Sequence, residues 1–86
     1  MMMKVSAPVT VSLIYNHRTN SVSPQVILWE GRKYIVSKVG LHHVVRRGRT
    51  LYHVFSVETA DLFFRLVLDT DNLHWIVEEI ANGEPG

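Results

Sequence analysis

The feature that most limits what this chain can fold into is a period of two. Apolar residues recur at alternate positions, and most are β-branched or aromatic, which is the pattern of strands with one buried face. In the first such run Val9, Val11, Leu13 and Tyr15 fall on one side and Thr10 and Ser12 on the other. The polar stretch from Asn16 to Pro24 reads as a loop, because it gathers turn-forming residues and ends on a proline that cannot donate to a ladder. Gln25 to Trp29 is a second strand. Glu30 and Gly31 then form a tight hairpin in which glycine accepts a positive φ, and Arg32 to Val45 is a long third strand. Gly40, in its middle, marks a bend or bulge that carries the strand from one region of sheet to another. Three further strands follow at Leu51 to Glu58, Leu62 to Leu68 and Leu73 to Ile80. The expected fold is all-β, a small antiparallel meander of about six strands that forms a partly open SH3-like barrel or a strongly bent sheet.

The register of the last three strands follows from their turns. Pairing Val57 with Leu62 and Leu68 with Leu73 puts Leu51, His53, Phe55, Val57, Leu62, Phe64, Leu66, Leu68, Leu73, Trp75 and Val77 on one common face, the core face. The other face carries Phe63, Val67, Ile76 and Ile80 beside Arg65, His74 and Glu78. An apolar group of that size calls for a cover, supplied either by the first strand in a closed barrel or by a second copy of the chain, so these four residues are the self-association candidates. The 86 residues make one domain, 1–86, with residues 1–6 and 82–86 expected to fray at its ends.

Composition removes several classes of function. Apolar residues are 47% and charged residues 20% of the chain, which is ordinary globular usage and not that of a disordered segment. Without cysteine there is no disulfide, thiolate metal site or cysteine nucleophile. The opening MMMKVSAPVTVSLIY is interrupted by Ser, Pro and Thr and lacks the continuous apolar core of a signal peptide, and no run approaches the length of a membrane span. A cytoplasmic location with no membrane partner is the expectation.

No constellation of catalytic residues stands out. Asp69, Thr70, Asp71 and Asn72 resemble the opening of a calcium loop, but the sixth position is His74 where the turn needs glycine, and the twelfth is Ile80 where a bidentate carboxylate belongs. Glu78 and Glu79 are neighbours on a strand and point to opposite faces, so they do not form a dyad. There is no G-x-S-x-G elbow and no phosphate-cradling glycine loop. His42 or His43 must lie across from His53 on the next strand, yet a cross-strand pair supplies only two ligands where zinc commonly takes three or four. No metal, cofactor or catalytic residue is therefore expected, and His53 reads as a half-buried, hydrogen-bonded core histidine.

Charge, by contrast, is unevenly divided. From Arg32 to His53 there are six basic residues and no acid, and from Val54 to the end seven acids and one base, Arg65. The basic segment sets Arg46, Arg47 and Arg49 at a hairpin tip, with Arg32, Lys33 and Lys38 on the strand before it and Tyr34 and Tyr52 interleaved. Guanidinium groups and flat rings in that order suit phosphates and stacked bases. Two binding functions follow. The first is protein interaction or self-association, in which the basic middle of one chain meets the acidic end of a neighbour. The alternative is DNA or RNA binding through the basic hairpin.

A resemblance accompanies these residues. The segment from Pro24 through Trp29, Gly31, Arg32, Tyr34 and Val36, then Phe64 to Asp69 and a closing strand around Trp75, resembles a family of small bacterial β-domains of unknown function that are common in actinobacteria and open on a W-x-G-R-x-Y-x-V hairpin. The likeness runs from Pro24 to Ile80. Family members tend to carry tryptophans in the long connecting segment, where this chain has His42 and His43. Some members are similar in setting to error-prone DNA repair operons, which implies nucleic acid nearby. The resemblance implies no catalytic residue.

Overall fold

The computed structural model describes residues 2–82, and all its regular structure is strand. The strands are β1 (Met2–Pro8), β2 (Thr10–Asn16), β3 (Ser21–Trp29), β4 (Arg32–Arg47), β5 (Thr50–Thr59), β6 (Leu62–Asp69) and β7 (His74–Asn82). They form one open, seven-stranded sheet in the order β1-β7-β6-β5-β4-β3-β2, antiparallel throughout. The expected all-β, partly open meander is what the chain adopts. No helix among the described residues is long and apolar enough to cross a membrane.

The additional strand is β1. Met2 to Lys4, in the segment 1–6 expected to fray, instead pair with β7 from Met2 opposite Ala81, Ala7 and Pro8 resume the ladder after an irregularity at Val5 and Ser6, and Val5 and Ala7 pack against the core. The ladder supplies partners for backbone groups that β7 would otherwise leave open on that side. At the other end Asn82 closes β7, and the rest of the expected frayed tail, 83–86, lies outside the described residues.

β1 and β2 stand at opposite ends of the sheet, yet only Val9 separates them in sequence. Two Cα steps span at most about 7.6 Å, so the sheet has to roll until its ends meet. The Val9 N–H donates to the Trp75 carbonyl at 3.2 Å and fixes the join. Inside the roll lie Ile27, Tyr34, Phe55, Val57, Phe64, Leu66 and Val77, all buried.

β4 is shared between the two halves of the roll. Arg32 to Ile35 pair with β3, and from Val36 onward the strand pairs with β5. The expected bulge at Gly40 is present, between Val39 and Leu41, and a second lies between Val36 and Lys38 at Ser37. Each inserts one residue, so the inward positions run Tyr34, Val36, Val39 and His42 instead of strictly alternating. The transfer from one region to the other takes place at Ile35 and Val36, ahead of both bulges.

The turns set a register two residues away from the expected one. Val57 faces Phe64 and not Leu62, because Thr59 Oγ1 donates to the Leu62 carbonyl at 2.8 Å and accepts the Leu62 N–H at 3.1 Å, which tightens the turn. Leu68 faces Trp75 and not Leu73. Leu73 belongs to the turn itself, at φ 63°, donates its N–H to the Asp69 carbonyl at 2.7 Å and is 69% exposed. A shift of two preserves which side each residue faces, so apart from Leu73 the inward set of β5, β6 and the start of β7 stands.

Beyond Val77 it changes. Leu66 pairs with Val77 but Arg65 pairs with Glu79, so Glu78 is an extra residue, and Ile80 turns inward opposite Phe64. The four-residue outer patch is therefore not a unit. Ile80 packs on the core, Val67 is buried between its cross-strand neighbours Val54 and Ile76, and Phe63 is the exposed member. Its central residue needs no cover from a second chain.

This assignment can be checked by denaturation. Ile80→Ala should reduce the free energy of unfolding by about 2 kcal/mol in a urea titration, and Phe63→Ala by about 1 kcal/mol or less. The reverse order would return Ile80 to the outer face.

Candidate interaction surfaces

The basic residues do not form one surface. Tyr34 is 6% exposed and packs edge-on against Phe64, ring centroids 5.0 Å apart, so it is a core residue and not a platform for a base. Arg32 lies over the Tyr34 ring at 5.2 Å and reaches Asp61 at 3.4 Å. Lys33 sits opposite Leu28 and Lys38 opposite Glu58, each exposed on a different part of the sheet.

Arg46, Arg47 and Arg49 do come together at the β4–β5 turn. Arg47 pairs with Thr50, which leaves Gly48 and Arg49 as the loop, with Gly48 at φ 61° as a two-residue hairpin of this kind needs. Arg46 and Arg47, being consecutive in a strand, point to opposite sides. The Arg47 guanidinium covers the half-buried Tyr52 ring at 5.6 Å. Among the described residues no carboxylate lies within ion-pair distance of these three arginines.

Nor is the sequence's division of charge a division in space. Thr50 Oγ1 donates to Asp71 at 2.5 Å, and Thr70 donates its N–H and its hydroxyl to the Leu51 carbonyl at 3.2 and 2.7 Å. The acidic β6–β7 turn is thus fastened to the base of the basic hairpin. The bulge at Glu78 has a related effect, since Glu78 and Glu79, expected on opposite faces, both reach Arg65, at 3.3 and 3.8 Å.

On the inner side of β4 and β5, His42 and His53 meet on the diagonal, with Nε2 of the first and Nδ1 of the second 2.7 Å apart. The His42 ring stacks on Phe55 at 4.1 Å and 9°. Burial first, then the proximity of His53 and of His43, holds the His42 imidazole below its usual titration range. His53 is half-buried and hydrogen-bonded, in keeping with the sequence reading. His43 lies on the outer side opposite Val54, its Nδ1 buried without a partner.

The surface that sequence reasoning missed is the far end of the β2–β3 hairpin. Ser21 to Pro24, read as loop, extend β3, with Pro24 buried opposite Leu13. A proline is tolerated there because β3 pairs with β4 only from Val26 onward, so on that side no ladder partner calls for an N–H. The hairpin end projects past the rest of the sheet. Leu13, Ile14 and Tyr15, three consecutive residues, are 41%, 51% and 61% exposed, so both faces of β2 are uncovered. The available signal was Ile14, an apolar residue interrupting the alternation.

The two edges of the sheet differ in protection. β1 carries Lys4, an irregularity in its ladder with Ser6 at φ 50°, and Pro8, each of which discourages another strand from pairing. β2 has no charge and no proline over Thr10–Asn16, and its one register shift is towards β3. No protein-family model, curated protein or solved structure matches this chain.

The His42 imidazole gives stability a pH dependence. A histidine whose folded-state pKa lies below its unfolded value near 6.5 leaves stability intact above that pH and removes it as pH falls through the folded-state value, since the unfolded chain takes the proton more readily. Thermal midpoints in metal-free buffer should therefore fall between pH 7.5 and pH 5, and His42→Gln should flatten the profile. An identical profile in the variant would locate the dependence elsewhere.

Proposed function

We propose that this chain is a non-catalytic binding module that self-associates by adding the β2 edge of a second copy to its own. The observation that carries the reading is the run of exposed Leu13, Ile14 and Tyr15 on an unguarded edge strand. An added strand gains main-chain hydrogen bonds along such an edge, and alternate side chains supply specificity. A second copy suits it because the strand is complementary to itself. An antiparallel pair centred on Leu13 sets Leu13 beside Leu13 of the other copy, Val11 beside Tyr15, and Ser12 beside Ile14, so apolar pairs share one face in a closed, two-fold arrangement.

Sedimentation over a concentration series tests it. The wild-type chain should show a monomer–dimer equilibrium, and Ile14→Lys should be monomeric with the thermal midpoint that the wild type has when dilute enough to be monomeric, because the residue makes no core contact. A wild-type chain that remains monomeric throughout overturns the reading.

Binding of a phosphate polyanion at the β4–β5 tip is the second reading, favoured by three arginines without a carboxylate in reach among the described residues. With Tyr34 buried and Tyr52 beneath Arg47, charge and not base stacking would supply the affinity. Replacing Arg46, Arg47 and Arg49 by Ala should then remove about two to three units from the slope of log affinity against log salt for DNA or RNA. A slope unchanged by the triple replacement excludes the tip as the site.

A further inference from the structure

We propose that His42 and His53 chelate a single late first-row divalent cation, Cu2+, Ni2+ or Zn2+, through His42 Nε2 and His53 Nδ1, with water at the remaining positions. These two nitrogens face each other across a 2.7 Å hydrogen bond at the solvent-facing inner side of β4 and β5. Metal–nitrogen bonds of this class are about 2.0–2.1 Å, which at tetrahedral or square-planar angles puts the two donors about 2.8–3.4 Å apart. The nitrogens therefore have to separate by at most about 0.7 Å, and each ring has to turn by about 35–45° so that the two lone pairs leave the line between them and meet on the metal.

The site is already ordered. His42 lies flat on Phe55, itself 1% exposed, at 4.1 Å, and His53 projects from the centre of β5 between two ladder partners, Val44 and Leu68. A chelate gains from donors that are already held close together before binding, here by the backbone ladder and the Phe55 contact. In the metal-free pair one nitrogen donates a proton to the other. On binding, that proton moves through solvent to the far nitrogen of its own ring, which frees a lone pair on the donor nitrogen and releases no net proton.

Ligand chemistry sets the choice of ion. An all-imidazole pair favours copper, nickel and zinc over magnesium, calcium and manganese, which take oxygen. No group of three or more metal-ligating side chains occurs among the described residues. Two protein donors fall short of a closed structural zinc site, so the ion is exchangeable and the fold does not depend on it. His43, on the outer face, takes no part.

Titration calorimetry of the full chain with NiCl2 and with ZnCl2 tests the proposal. Saturable binding of one ion per chain is expected in the wild type and in His43→Gln, and its loss in both His42→Gln and His53→Gln. MgCl2 should give no binding. Because either variant could lose its fold, the wild type provides a second readout: substoichiometric Cu2+ should broaden the NMR signals of the His42 and His53 rings before those of His17 and His74. Absence of saturable binding in the wild type, binding that survives in folded His42→Gln or His53→Gln, or first broadening at His17 or His74 would each overturn it.

Discussion

The rest of the molecule depends on Val9. By leaving one residue between the first strand of the sheet and the last, the chain turns a flat meander into a roll, and the bond from its N–H to the Trp75 carbonyl sets where the two ends come together. Curvature then decides burial. Ile27 and Tyr34 on one side of the roll and Leu66 and Val77 on the other enter one core because the sheet brings its own faces together, without a helix or second sheet to cover them. The right-handed twist of strands helps, but twist alone does not bring the ends of a seven-stranded sheet to adjacent residues.

Bulges reconcile that curvature with the side-chain pattern. A long strand that changes partners must bend, and each extra residue both bends the strand and resets which side faces inward. Ser37 and Gly40 do this on β4, and Glu78 does it on β7. The last of these brings Ile80 into the core and gathers two carboxylates around Arg65. A local irregularity thus explains an apolar packing contact and a charge cluster together.

This also explains how far the sequence could be read. Alternation identified the inward residues of β5 and β6 because those strands run without interruption, and a register error of two left them in place. It failed at Ile80, where the inserted residue is the first of two consecutive glutamates and has no backbone signature of its own, while Gly40 did mark its own bulge. Pro24 was misread because its tolerance depends on where β4 stops pairing with β3, a fact of topology and not of composition. β1 was missed because its seven residues alternate weakly and acquire their partner only when β7 is in place. Of the candidate sites, the arginine tip and the His42–His53 encounter were visible in spacing. The uncovered end of β2 was not, since exposure there results from what the neighbouring strand omits.

The position of β1 beside β7 has a consequence for how the chain is made. Every other ladder joins strands that follow one another, so the meander from β2 to β7 can assemble by successive hairpins as the polypeptide lengthens. The β1–β7 ladder joins the two ends of the described chain and carries nearly the largest loop-closure entropy available to it. β1 precedes the other six strands and is consequently placed last, and until β7 leaves the ribosome both β1 and β6 lack a ladder partner that they have in the finished sheet.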